Sequence, residues 1–172
     1  MHEPLRIEGI YREPLEPRRQ MATQMLAAGA RSPRHSEKLR VLIADTDRAC
    51  AELEGALDGE GIEVLQAHSF QEAVAQARRY RPQLYVVGYH FDGGQPYRLI
   101  SHLLSEDDES RILVIRALRS SESADDEEEI RSSYRSLGAK DYLVLHEELE
   151  QGGRDAALRR FADEVRRWLS GA

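Results

Sequence analysis

From Leu39 onward, short apolar runs alternate with segments whose apolar residues recur every three or four positions. The runs are four to six residues long and rich in Val, Ile and Leu. This composition is typical of strands buried on both faces of a parallel sheet. We therefore predict five strands, at Leu39–Ala44, Ile62–Ala67, Leu84–Val87, Ile112–Ala117 and Lys140–Leu145.

Amphipathic segments follow the strands and predict five helices. Ser69 and Glu72 form a Ser-x-x-Glu capping box at the start of the second helix, and Pro82 stops it. The other four are predicted at Asp47–Leu57, around Tyr97–Leu104, at Ala124–Leu137 and at Arg154–Ser170. The alternation predicts an α/β fold of the flavodoxin-like type, a doubly wound five-stranded parallel sheet with helices on both faces.

Residues 1–38 have a different pattern and are predicted to form an N-terminal extension to a domain at 39–172. Prolines punctuate the extension, and one short helix is predicted at 16–28. Met21, Met25 and Leu26 lie on one side of that helix. One interpretation is a flexible leader; the other is a docking segment whose Met/Leu stripe covers an apolar groove on this protein or on a partner.

Charge and composition exclude several classes of function. Residues 1–38 contain seven Lys/Arg against five Glu, so the total of −7 leaves −9 on residues 39–172. A domain so acidic repels a phosphate backbone, and we expect no direct nucleic-acid binding. No apolar run approaches the roughly 20 residues of a membrane span, and the start lacks a secretory signal. We therefore expect a cytoplasmic protein. Its single cysteine, Cys50, is predicted to be a core residue.

The candidate site follows the strands, because ligands in such folds bind beyond the strands' carboxyl ends. A phosphate-binding fold places glycines after the first strand, whereas this chain has Asp45-Thr46-Asp47. That acidic segment disfavours anions and argues against a nucleotide or flavin enzyme. It resembles the acidic cluster of receiver domains of the bacterial response-regulator family, with their CheY-like fold. Three segments carry the resemblance: Val-Leu-Ile-Ala-Asp-Thr-Asp at 41–47, Arg-Pro-Gln-Leu-Tyr-Val-Val at 81–87 and Leu-Gly-Ala-Lys-Asp-Tyr-Leu at 137–143.

The departures from the family pattern concern one reaction. The family's acidic pair falls on Asp45 and Thr46, and its phosphoacceptor aspartate on Gly88. Its hydroxyl residue falls on Ala117 or Leu118 and its lysine on Leu145, while the aromatic switch residue is kept as Tyr142. The resemblance thus implies a degenerate phosphorylation pocket formed by Asp45, Thr46, Gly88, Ala117, Leu118 and Leu145.

Alternatives at this pocket stay open. Asp45 and Asp47 are the remnant of a Mg²⁺ site, but such a site needs more ligands than these, and we expect no cofactor. Asp92, four residues after Gly88, is an alternative phosphoacceptor. A third possibility is a switch that senses a small ligand, because Gly88 beside Gly93 and Gly94 opens space.

We therefore predict a pseudoreceiver, not an enzyme, that acts without phosphorylation as a protein–protein interaction module in bacterial signalling or spatial regulation. The expected partner is another signalling or scaffold protein. The predicted interaction face, formed by the fourth helix, fifth strand and fifth helix, is also a candidate homodimer surface. Its predicted residues are Tyr134, Tyr142, Arg159, Arg160 and Trp168.

Overall fold

The computed structural model describes residues 38–116, 124–145 and 152–171. The predicted N-terminal extension, its helix and the docking residues Met21, Met25 and Leu26 lie outside these residues, as do Ala117 and Leu118. Five strands form one parallel sheet in the order β2-β1-β3-β4-β5. They are β1 (Leu39–Ala44), β2 (Ile62–Ala67), β3 (Leu84–Gly88), β4 (Ile112–Arg116) and β5 (Asp141–Val144).

Helices cover both faces of the sheet, which confirms the predicted doubly wound architecture. Side chains of α1 and α5 pack on one face, around Cys50 and Phe161. Side chains of α2, α3 and α4 pack on the other, around Leu99 and Tyr142. The bounds are α1 (Asp47–Ala56), α2 (Phe70–Tyr80), α3 (Pro96–Glu106), α4 (Ala124–Ser136) and α5 (Arg154–Leu169).

Local signals set the helix ends. Ser69 caps α2 as predicted, since its hydroxyl accepts from the Glu72 N–H at 3.4 Å. The Glu72 carboxylate accepts from the N–H of His68, one residue before the cap. Gly138 follows the end of α4 at φ +103°, a left-handed conformation that favours glycine, and a Cβ there would lie 2.8 Å from Cδ1 of Leu104.

The outer edge of β5 is covered by arginine side chains. A guanidinium nitrogen of Arg131, on α4, donates to the carbonyl of Tyr142 at 3.1 Å. Arg160, on α5, donates to the carbonyl of Val144, also at 3.1 Å. Because these carbonyls would otherwise be open acceptors of an edge strand, the two arginines disfavour pairing with a further strand.

Candidate functional site

The candidate pocket lies where β1, β3 and β4 end side by side. Ala44 of β1 is opposite Val87 of β3, and Gly88 is opposite Ile115 of β4. The sheet therefore brings Asp45, which directly follows β1, next to Gly88, the last residue of β3.

The Asp45 carboxyl occupies the space beside Gly88. A Cβ built on Gly88 would lie 2.0 Å from Oδ2 of Asp45 and 2.1 Å from its Cγ. These separations are far below the ~3.5–4 Å of an ordinary non-bonded contact between heavy atoms. The space that the glycines were expected to open for a small ligand is thus filled, at Gly88, by a side chain of the protein itself.

Asp45 is buried and held by its own loop. Its Oδ1 accepts from the backbone N–H of Thr46 at 2.7 Å. Burial raises the pKa of this carboxyl, while the Thr46 N–H and the nearby His90 act in the opposite direction. The geometry and charge indicate a group that seals the pocket rather than one presented to solvent.

The second carboxylate of the possible Mg²⁺ remnant is directed at His68. Asp47 is the first residue of α1, its side chain is exposed, and Oδ1 lies 3.1 Å from Nδ1 of His68. Thr46 is the N-cap of α1, with its hydroxyl accepting from the Ala49 N–H at 3.4 Å. Within residues 38–116, 124–145 and 152–171, no group of three His, Cys, Asp or Glu side chains is placed to hold a metal ion.

Leu145, predicted at the pocket, and Asp92, the alternative phosphoacceptor, differ in exposure. Leu145 is buried among the side chains that pack with α1 and α5. Asp92 lies in a single helical turn at 91–94 with its side chain exposed, and its backbone is left-handed at φ 49°.

Sequence reasoning missed a charged pair at the end of β4. Arg116 is 1% exposed, and its guanidinium donates to the carboxylate of Glu127 on α4. The same guanidinium lies 4.8 Å from the ring centre of Tyr89, a cation–π distance. The pair ties α4 to the strand that ends in the pocket. The sequence signal for this pair was a charged residue directly after the apolar run Ile-Leu-Val-Ile, followed further along the chain by acidic residues.

An aromatic stack lies beside this pair. The rings of Tyr134 and Tyr142 are stacked with centres 5.6 Å apart, and Tyr89 meets Tyr134 edge-on at 6.4 Å. Burial and the neighbouring Glu127 raise the pKa of Tyr142. Tyr134 and Tyr142 are both buried, so neither presents its ring at the surface of the predicted interaction face.

The exposed part of the predicted face is rich in arginine. Arg159 and Arg160 of α5 are exposed, while Trp168 is half-buried, with its indole N–H donating to Glu164 at 2.8 Å. Asp141 of β5 bridges the two helices, since its carboxylate lies 3.5 Å from Arg135 of α4 and 3.1 Å from Arg167 of α5. We call this surface the α4–β5–α5 face and define it by Arg131, Arg135, Asp141, Arg160 and Arg167.

No protein-family model matches the sequence, and no curated protein matches it significantly. Solved structures do match the fold. A response regulator from Thermotoga maritima has a TM-score of 0.60 at 21% identity, covering 78% of this chain and 99% of its own. A putative response regulator from Chloroflexus aurantiacus has a TM-score of 0.59 at 24% identity, covering 77% and 98%.

A third match belongs to the CheX-CheY-BeF3-Mg²⁺ complex from Borrelia burgdorferi, with a TM-score of 0.52 at 19% identity, covering 62% of this chain and 77% of that one. Across the described residues, no helix is long and apolar enough to cross a membrane.

These structural matches show that the described part of the chain has the fold of response-regulator receiver domains, the CheY-like form of the flavodoxin fold.

Proposed function

We propose that this chain is a receiver-like module of the bacterial cytoplasm that recognises another signalling protein without being phosphorylated. The observation that carries the proposal is the Asp45 carboxyl beside Gly88, which fills the place of an acceptor side chain. A glycine offers no carboxylate to attack a phosphodonor, so the family's chemistry lacks its nucleophile.

The groups that would stabilise a transferring phosphoryl are also replaced. Leu145 is buried and apolar, and the charge of Arg116 at the end of β4 is directed at Glu127. Phosphoryl transfer depends on cations and hydrogen-bond donors aimed at the developing charge. We therefore propose that the chain acts by binding a partner and not by catalysing phosphoryl transfer.

Metal binding is also disfavoured by the donor geometry. Asp45 is buried against Gly88, whereas Asp47 is exposed beside His68. Magnesium needs near-ideal octahedral geometry with one or two carboxylates plus phosphate oxygens. The two side chains do not supply this, and we propose that the module works without Mg²⁺.

The buried pair offers a way to hold the module in one state. Arg116 and Glu127 join β4 to α4, and Tyr142 of β5 stacks on Tyr134 of α4. A pair that is buried and hydrogen-bonded loses several kcal/mol when one partner is removed, so it resists rearrangement. We propose that these contacts fix the position of α4 and keep the α4–β5–α5 face permanently competent.

The partner surface we propose is this face. Arg135 and Arg167 are about half exposed beside Asp141, and such guanidinium groups suit carboxylate-bearing partners, because arginine binds carboxylates in a two-pronged geometry. The CheX-CheY complex supports the idea that receiver-like folds assemble with other signalling proteins. The alternative is a homodimer through the same face, in which Asp141 of one copy would pair with an arginine of the other.

The test is a quantitative capture experiment with the full-length chain. Wild-type protein, an Arg135→Glu/Arg167→Glu variant and an Arg48→Glu control are used as baits in a bacterial lysate, each with and without acetyl phosphate. Arg48 is exposed on α1, away from the face. A partner retained by wild type and control, lost from the double variant and indifferent to acetyl phosphate would support the proposal. Retention that requires acetyl phosphate would contradict it.

A further inference from the structure

A second surface lies on the other side of α4. A cavity of about 610 Å³ opens between the start of α3 and α4. Its lining comes from α3, from α4 and from the residues that directly follow β3 and α4. We call it the α3–α4 groove and define it by its lining residues, Tyr89, Tyr97, Glu129, Ile130, Ser133, Tyr134 and Leu137.

The groove exposes large apolar side chains to solvent. Tyr97 is 50% exposed and Leu137 is 42% exposed. Across the residues the structure describes, the third large apolar side chain of this kind is Leu39, at 41%, at the start of β1. Two of the three thus flank one concave surface, and such clustering marks interaction sites, whereas single exposed side chains are ordinary.

The charged side chains that line the groove and its continuation are acidic. Glu129 lines the groove, and its continuation along α4 is lined by Glu128, Glu129 and three serines. Neither lining contains a Lys or Arg. Helix α4 as a whole has five acidic and two basic residues. Arg135 interacts with Asp141 on the β5 side, whereas Arg131 donates to the Tyr142 carbonyl and also lies 3.5 Å from the carboxylate of Glu128. The complementary partner is therefore basic.

The shape of the groove favours a helix as the occupant. The groove runs along α4 from Glu129 to Leu137, the residue after the helix end. These nine residues are separated by eight rises of ~1.5 Å, or about 12 Å, which matches two turns of a docked helix. The β5 edge is already covered by Arg131 and Arg160, so addition of a partner strand there is disfavoured. An amphipathic helix laid in a groove between two helices is a recurring mode of recognition.

We propose that the α3–α4 groove binds an amphipathic, basic helix of a second protein. The helix would place apolar residues at positions i, i+3, i+4 and i+7 against Tyr97, Ile130 and Leu137. Its Lys or Arg side chains would face Glu128 and Glu129. The surface is separate from the α4–β5–α5 face, so the two sides of α4 would recognise partners of opposite charge.

The test uses a fluorescein-labelled 14-residue helical peptide of Leu and Lys with that apolar spacing, titrated against the full-length chain. A peptide with Glu in place of each Lys is the charge control. The matched variants are Leu137→Ala and Leu39→Ala, because the two leucines are almost equally exposed. Circular dichroism melting verifies that both variants fold.

We expect the Lys peptide to bind, and Leu137→Ala to weaken it about tenfold, as loss of a leucine contact would. Leu39→Ala should leave the dissociation constant unchanged, the Glu peptide should bind far more weakly, and added salt should reduce the difference. The proposal is overturned if the Lys peptide does not bind, if both leucine variants act alike, or if both peptides bind equally.

Other occupants give distinct results that also overturn it. A second copy of this chain in the groove would appear in sedimentation as a dimer that Leu137→Ala dissociates. An occupant from residues 1–37 of the same chain would appear as intramolecular cross-links to α4 that excess peptide does not displace.

Discussion

Replacing Gly88 by alanine would place a methyl group where the Asp45 carboxyl lies. The new Cβ would be 2.0 Å from Oδ2 and 2.6 Å from Oδ1, so the carboxyl must move. Gly88 is not among the glycines with positive φ, and alanine can adopt its backbone conformation. The substitution therefore tests the contact with Asp45 rather than a strained backbone.

The expected cost follows from what the displaced carboxyl gives up. Moving it breaks the 2.7 Å bond from the Thr46 N–H, and overpacking of this kind costs about 1–3 kcal/mol. The lower entropy of the unfolded alanine chain returns about 0.4–1 kcal/mol. We expect a net loss of roughly 1–2 kcal/mol in the free energy of unfolding, or a fall in Tm of about 3–8 °C.

Urea unfolding of a double-mutant cycle measures this directly. In an Asp45→Ala background, Gly88→Ala should be neutral or stabilising, because the obstructing carboxyl is gone. Gly55→Ala is the matched control: Gly55 lies in α1 with nothing within 4 Å of its Cβ position, so alanine should stabilise by about 1 kcal/mol. An equal cost of Gly88→Ala in both backgrounds would refute the placement of Asp45.

Three further predictions concern buried ionisable groups. Burial raises the pKa of Asp45 above its unfolded value, so its contribution to stability is present at low pH and is lost as pH rises through the folded pKa. Asp45→Asn should therefore stabilise the fold more at pH 7 than at about pH 3, in urea titrations at both; no difference would contradict this. Glu127→Gln removes the charge that Glu127 places beside the buried Arg116 and should cost about 3 kcal/mol. The double variant Arg116→Met/Glu127→Leu should cost less than the sum of Arg116→Met alone and Glu127→Leu alone; strict additivity in thermal melts would count against the pair. Burial raises the pKa of the Cys50 thiol to about 11, so iodoacetamide at pH 8 should modify it only as fast as the protein unfolds, and rapid labelling of native protein would disprove its burial.

The fold was predictable from the chain because each strand and helix carries its own local pattern. The bounds of β2 agree with the prediction residue for residue, and β3 extends one residue further, to Gly88. Helix α1 begins at Asp47 as expected, and its N-cap is Thr46, whose hydroxyl and extended backbone meet the geometric requirement.

The candidate site was less predictable because its geometry depends on contacts between distant elements. The sequence shows that Gly88 lacks a carboxylate but not that Asp45, 43 positions earlier, turns into the vacated space. Likewise, the Arg116–Glu127 pair joins a strand end to a helix across a polar connection, which no local periodicity reveals. Tyr134 is buried by stacking on Tyr142, a contact between a helix and a strand that the sequence of either element alone does not reveal.

The central claim is that this receiver-like fold works without phosphorylation. The most direct measurement is incubation of the full-length chain with acetyl phosphate and Mg²⁺, read by intact mass, and with beryllofluoride and Mg²⁺, read by thermal melting, beside an Asp92→Ala variant. We predict no mass adduct and no change in Tm for either protein. An adduct on the wild type that is absent from Asp92→Ala would contradict the claim and identify Asp92 as the phosphoacceptor.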